Sequence, residues 1–198
     1  MKTILKLAAA ASLALGLATS AHAQDVQPFA GVVIVPASAP PEAQVASPSP
    51  QPEFKRAKIV SYATNKKPGS VIVDTRVNKL YYVLGMDRAA MYPIASAKPG
   101  FEWNGTNKVS AKTQWPDWRP PAQMRVRRPE LPAYMAGGPS NPLGARAIYL
   151  GSTIYRIHGT NEPKSIGKDA SSGCIRMLNA DVSELYQFVK IGAEVTVM

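Results

Sequence analysis

The stretch SVIVDTRVNKLYYVL, residues 70–84, sets two runs of β-branched and aromatic side chains, 70–74 and 79–84, around the polar segment TRVN. Such side chains suit a pleated, half-buried surface, and two runs split by a short polar segment read as a β-hairpin. Working outward, YPIA (92–95), AIYL (147–150), TIYRI (153–157) and EVTV (194–197) have the same character and are expected to be further short strands. One helix is expected at 179–189. Asn179 would be its N-cap, Asp181 would sit in its first turn, Val182, Leu185, Tyr186 and Val189 recur at helical spacing, and Gly192 would end it. Many short strands with a single C-terminal helix describe a mainly β domain over 58–198, large enough for one core.

Residues 98–142 interrupt this pattern. They are rich in Gly, Pro and Trp (WPDWRPP, AGGPSNPLG) and keep no sustained period. So much irregular chain is too long for a passive connection, and the expectation is a capping loop that forms one wall of a cleft. Trp115 and Trp118 would line that cleft or anchor the loop to the core. Arg125, Arg127 and Arg128 of MRVRR read as a solvated face, with a role toward substrate as the second reading.

The N-terminal part is of another kind. Lys2 and Lys6 precede an apolar run that closes on Ala21, His22, Ala23, the pattern of a secretory signal peptide over 1–23. The run is too short for the roughly 20 residues of a membrane span, so no span is expected after cleavage. Residues 24–57 are crowded with Pro among Ala, Ser and Gln, which favours an extended, disordered linker. Without Lys2 and Lys6 the chain keeps 21 basic against 13 acidic residues, a net charge of +8. For an exported chain that balance points to anionic envelope polymers or membrane surfaces rather than nucleic acid.

Two residue types are scarce, and they meet in one loop. Setting aside His22 in the signal peptide, His158 is the only imidazole, and Cys174 is the only thiol in the chain. A solitary Cys in an oxidising compartment is either a buried bystander or a reactive thiol. Thiolate is the nucleophilic form, an adjacent imidazole can take the proton, and the ion pair so formed would hold the thiol pKa down. His158 ends TIYRI on the face of Ile154 and Arg156, and the segment to Cys174, with a reach of roughly 50 Å when extended, returns easily. The amides of Gly173 and Cys174 would face a developing oxyanion, and the carbonyl of Gly159 is the nearest group to hold the second imidazole nitrogen. Arg176 would bind a substrate carboxylate or brace the loop. One His and one Cys fall short of a zinc ligand set, so no metal is expected.

HGT at His158 and SSGCIRM around Cys174, with VIVDTRVNKLYYV, NPLGARAIYL and NADVSELY, resemble the L,D-transpeptidase catalytic domain (YkuD) family over about 58–198. The resemblance implies a β-sandwich-like fold, a Cys174 nucleophile, His158 as base, no cofactor and a periplasmic location. It implies that Cys174 forms a thioester with the diamino acid of a peptidoglycan stem tetrapeptide, releasing D-Ala. The acyl group would then pass to an amine of a second stem, or of an outer-membrane protein or lipoprotein. Ser172 stands where the family usually has His. Other readings are trimming with water as acceptor and a catalytically silent wall-binding module. Papain-like peptidases place Cys before His, and sortases separate the two by far more chain.

Overall fold

The computed structural model describes residues 53–198. The expected signal peptide, 1–23, and most of the expected linker, 24–57, therefore lie outside the described residues. Eleven strands, β1 (Lys58–Ser61), β2 (Val71–Asp74), β3 (Lys79–Gly85), β4 (Arg88–Pro93), β5 (Ser96–Ala97), β6 (Gly105–Gln114), β7 (Arg146–Leu150), β8 (Arg156–His158), β9 (Asp169–Ser171), β10 (Ile175–Arg176) and β11 (Glu194–Val197), carry most of the ordered backbone. Two helices, α1 (Ala122–Arg127) and α2 (Asn179–Phe188), join them.

Nine strands form one mixed sheet in the order β1-β4-β3-β2-β11-β6-β7-β8-β10, and β5 pairs with β9 beside it. The hairpin read from 70–84 is β2 and β3, antiparallel with Val71 opposite Tyr82 and Val73 opposite Leu80. Asn78 closes its turn at φ +51, a left-handed conformation that Asn tolerates better than most residues. Val71 and Val73 are fully buried, and β11 runs parallel to them through the middle of the sheet, with Val195 opposite Val71 and Val197 opposite Val73.

The sheet changes pairing partner along β6. Its first half pairs with β11 and its second half with β7, with an irregularity between Val109 and Ala111. An irregularity of this kind bends a strand locally, so one long strand serves two partners in succession. Strand β6 falls within the segment assigned from sequence to the capping loop, so that loop is shorter than expected. The reason is visible in GTNKVSAKTQ, where only Val109 is buried. The strand is held by backbone pairing along both edges, and its outward polar side chains leave no alternation to read.

Helix α2 packs on β7 and β8, and its Val182 and Leu185, with Val189 beyond its end, join one core with Leu80, Tyr92, Ile148 and Ile157. Asn179 is the first helical residue rather than the cap, which is Leu178. Gly192 does not end the helix either; it lies in the turn into β11 at φ +86. The strand expected over TIYRI begins only at Arg156, because Thr153 turns the chain back by donating to the Leu150 carbonyl.

The N-terminal boundary lies earlier than the Lys58 drawn from sequence. Phe54 packs against Tyr82 and Phe188, and the backbone N–H groups of Lys55, Arg56 and Ala57 all donate to the Glu184 carboxylate at 2.6–3.1 Å. The Tyr92 hydroxyl donates to the same carboxylate at 2.9 Å, so a buried charge on α2 is satisfied by the segment that precedes β1.

Candidate active site

The two scarce side chains face one cleft of about 660 Å³, lined on one side by Ile154, Arg156, His158, Cys174 and Arg176. Parallel pairing of β10 with β8 brings them together, with Ile175 opposite Ile157 and Arg176 opposite His158. On its other edge β10 is bridged to Ala95, whose N–H and C=O both bond Arg176 at 2.9 Å or less. The Cys174 segment is thus gripped from both sides.

His158 is buried. Its Nδ1 lies 2.6 Å from the Gly159 carbonyl. A carbonyl only accepts, so Nδ1 carries the hydrogen and Nε2 keeps its lone pair. Burial pulls the imidazole pKa down to about 3, against the pull of the Gly159 and Leu143 carbonyls, and the charges of Arg176 and Arg156 push it the same way as burial. Asn179 holds this corner. Its Oδ1 accepts from the N–H groups of Ala145 and Thr160 at 2.9 and 3.1 Å, and its Nδ2 donates to the Thr160 carbonyl at 3.0 Å. A Cβ on Gly159 would stand 2.1 Å from that Oδ1, so Gly159 is required for close approach. The scarcity of imidazole pointed to His158; nothing in the sequence separated Asn179 from an ordinary helix cap.

Cys174 is partly buried and its thiol donates to the Ile154 carbonyl at 3.9 Å, not to the imidazole. Burial pushes the thiol pKa up, while the charges of Arg156 and Arg176 and the Arg156 backbone pull the other way. Both shifts run against the expected thiolate–imidazolium pair, because desolvation penalises both charges and favours neutral thiol and imidazole.

Gly173 has φ +109, and a Cβ there would come 2.6 Å from the Tyr155 ring. Tyr155 stacks on Trp103 with ring centroids 4.3 Å apart, and Trp103 Nε1 donates to the Gly173 carbonyl at 2.7 Å. In a trans peptide the following N–H points opposite to the carbonyl, so Trp103 aims the Cys174 N–H away from itself. The Gly173 N–H, expected to face an oxyanion, is instead donated to Ser171 Oγ at 3.1 Å, and that hydroxyl donates to the Cys174 carbonyl. Ser171 and Ser172 both line the cleft, and fully buried Ser171 also ties the loop together. Trp103 and Ser171 escaped the sequence reading because their roles depend on partners 70 and 3 residues away in the chain.

The shortened cap supplies the opposite wall, with Trp118, Met124, Leu131 and Met135 among its lining residues. Trp115 does not line the cleft and is largely exposed. Arg127 and Arg128 line it while staying exposed, so the solvated face of MRVRR borders the cleft there. Lys98, Arg127, Arg128, Arg156 and Arg176 face the cleft against the single carboxylate of Glu162, which pairs with Arg176 at 2.8 Å. That ion pair braces the segment between His158 and Cys174. The surplus of cations suits an anionic ligand.

The family model of the L,D-transpeptidase catalytic domain (YkuD) matches residues 68–197. The chain is similar to the probable L,D-transpeptidase YbiS of Escherichia coli K12, 37% identical over 133 residues, covering 64% of this chain and 43% of the relative. It is also similar to the probable L,D-transpeptidase ErfK/SrfK of the same strain, 34% identical over 138 residues, with coverage of 67% and 44%. The match thus spans less than half the length of either relative. Among solved structures, an L,D-transpeptidase from Mycobacterium smegmatis superposes with a TM-score of 0.53 at 18% identity, over 65% of this chain and 57% of that one, a likeness of fold.

Proposed function

This chain belongs to the L,D-transpeptidase catalytic domain (YkuD) family, and we propose that it is an exported, cysteine-dependent acyltransferase acting on peptidoglycan stem peptides. The observation that supports this most is the shared cleft of His158 and Cys174, with the imidazole Nδ1 hydrogen engaged by Gly159 and the Nε2 lone pair left as base.

Because burial favours the neutral form of both groups, the proton moves as the sulfur attacks. Nε2 of His158 takes the Sγ proton while Sγ bonds to the carbonyl carbon of the donor's diamino acid. The carbonyl oxygen becomes an oxyanion, and the Cys174 N–H aimed by Trp103 donates to it. Collapse breaks the C–N bond; the imidazolium returns its proton to the leaving amine of D-Ala, and a thioester remains. An acceptor amine from a second stem, or from an envelope-protein lysine, then attacks the thioester, loses its proton to His158 and restores the thiol. The five cations of the cleft suit the acidic stem, and the signal-like 1–23 with the linker after it suits work in the periplasm.

The test uses a defined stem tetrapeptide with and without an acceptor amine, with products read by mass spectrometry. The protein should release D-Ala and form the amide-linked product. Cys174→Ser and His158→Ala should each lower the rate by about 10³-fold or more with unchanged circular dichroism. Normal turnover by either variant would remove the mechanism, and release of D-Ala with no amide product would assign water as acceptor.

A further inference from the structure

Arg156 sits two residues before His158 on β8, and therefore on the same strand face. Its side chain reaches into the cleft beside the nucleophile. Nη2 donates to the Ile154 carbonyl at 3.2 Å, and that same oxygen receives the Cys174 thiol at 3.9 Å. Guanidinium and sulfur are thus separated by no more than those two spans. The guanidinium lies against the Tyr149 ring, 5.4 Å from its centroid.

Arg176 and Arg128 have carboxylate partners, Glu162 and Glu130, both at 2.8 Å, whereas Arg156, Lys98 and Arg127 make no ion pair among the described residues. What sets Arg156 apart is its Nε, a buried donor without an acceptor, alone in this among the side-chain N and O atoms described. A buried, unpaired donor on an uncompensated cation is costly, and an anion arriving beside it would relieve both deficits at once. An arginine fork matches a carboxylate in shape as well as charge.

We propose that Arg156 is a substrate-binding residue that receives the terminal carboxylate of the donor peptide's leaving amino acid. The inference rests on the acyl-transfer reading of this cleft. In such a donor the carboxylate carbon lies three bonds beyond the scissile carbonyl carbon, about 3–4 Å away, so a sulfur in contact with one leaves the other within reach of a guanidinium anchored on the same oxygen. Arg156 would then make the donor's free C-terminus a condition of tight binding.

The experiment compares two donor tetrapeptides, one ending in a free carboxylate and one in a carboxamide, by calorimetric binding to a Cys174→Ala protein and by turnover with the unsubstituted one. The free acid should bind about ten- to a hundredfold more tightly than the amide. Arg156→Gln in the Cys174→Ala background should erase that preference while leaving amide binding unchanged, and Arg156→Lys should retain part of it. Equal affinity for the two peptides, or equal losses for both on Arg156→Gln, overturns the proposal. A shift in the pH dependence of Cys174 alkylation in Arg156→Gln, with the carboxylate preference intact, likewise overturns it and assigns the guanidinium to the thiolate. Failure of the acyl-transfer reading is seen separately, as absence of turnover with either peptide while the binding preference remains.

Discussion

At the residue scale, the proposed chemistry depends on how a buried environment treats His158 and Cys174. Burial lowers the basicity of His158 and raises the thiol pKa of Cys174, so both groups favour their neutral forms in the free protein. On the proposed mechanism Cys174 stays a thiol until a substrate carbonyl displaces it from its contact with the Ile154 oxygen. Alkylation of the free protein by iodoacetamide should consequently be slow near neutral pH. Its rate should still be climbing at pH 9, the ordinary thiol value, and beyond. A rate that levels off between pH 5 and 7 would instead indicate a preformed ion pair. The scarce residues His158 and Cys174 were legible because each is alone of its type in the domain, and the Gly159 carbonyl because it is adjacent in the chain. Arg156, Trp103 and Asn179 are common residue types whose meaning comes only from what they touch.

At the element scale, α2 serves as a clamp rather than as a separate layer. It begins with Asn179, which pins the His158 corner, and one turn on it presents Glu184 to the N-terminal segment and to Tyr92. Burial raises the Glu184 pKa, but the N–H groups of Arg56, Lys55 and Ala57 and the Tyr92 hydroxyl outweigh it and hold the carboxyl below its usual value. Arg56 adds an ion pair to Asp181 at 3.0 Å on the same helix face. Glu184→Gln keeps the shape, removes the charge and supplies one amide where only acceptors are wanted. It should destabilise the domain by about 2–3 kcal/mol in urea titration and open residues 53–57 to limited proteolysis. Unchanged stability would mean that the N-terminal segment is not held by this carboxylate. The helix face was readable from its apolar spacing, whereas a Glu on a helix otherwise reads as solvent-facing.

At the scale of the whole molecule, the buried imidazole links folding to pH. Its pKa in the native protein is about 3 against 6.5 for an exposed His, so between those values the unfolded chain binds a proton that the folded one refuses. The contribution is complete above pH 6.5 and is lost progressively as pH falls toward 3, since the unfolded state gains protons there. From pH 7 to pH 4 the unsubstituted protein should lose roughly 3 kcal/mol more than His158→Gln, measured by denaturant midpoints with a common slope. Parallel losses in the two proteins would place the imidazole in water.

Hydrophobic runs and residue scarcity, both local properties, were enough to read the hairpin, the strands 147–150 and 194–197, the apolar face of α2 and the identity of the His and Cys pair. Each is recorded in neighbouring side chains, and burial acts on those directly. Tertiary structure alone decided the strand β6, the packing of residues 54–57 on α2, the desolvation of the pair and the unsatisfied Arg156 Nε beside it. Those depend on backbone pairing and on desolvation, which arise only when segments distant in sequence come together and water is excluded between them.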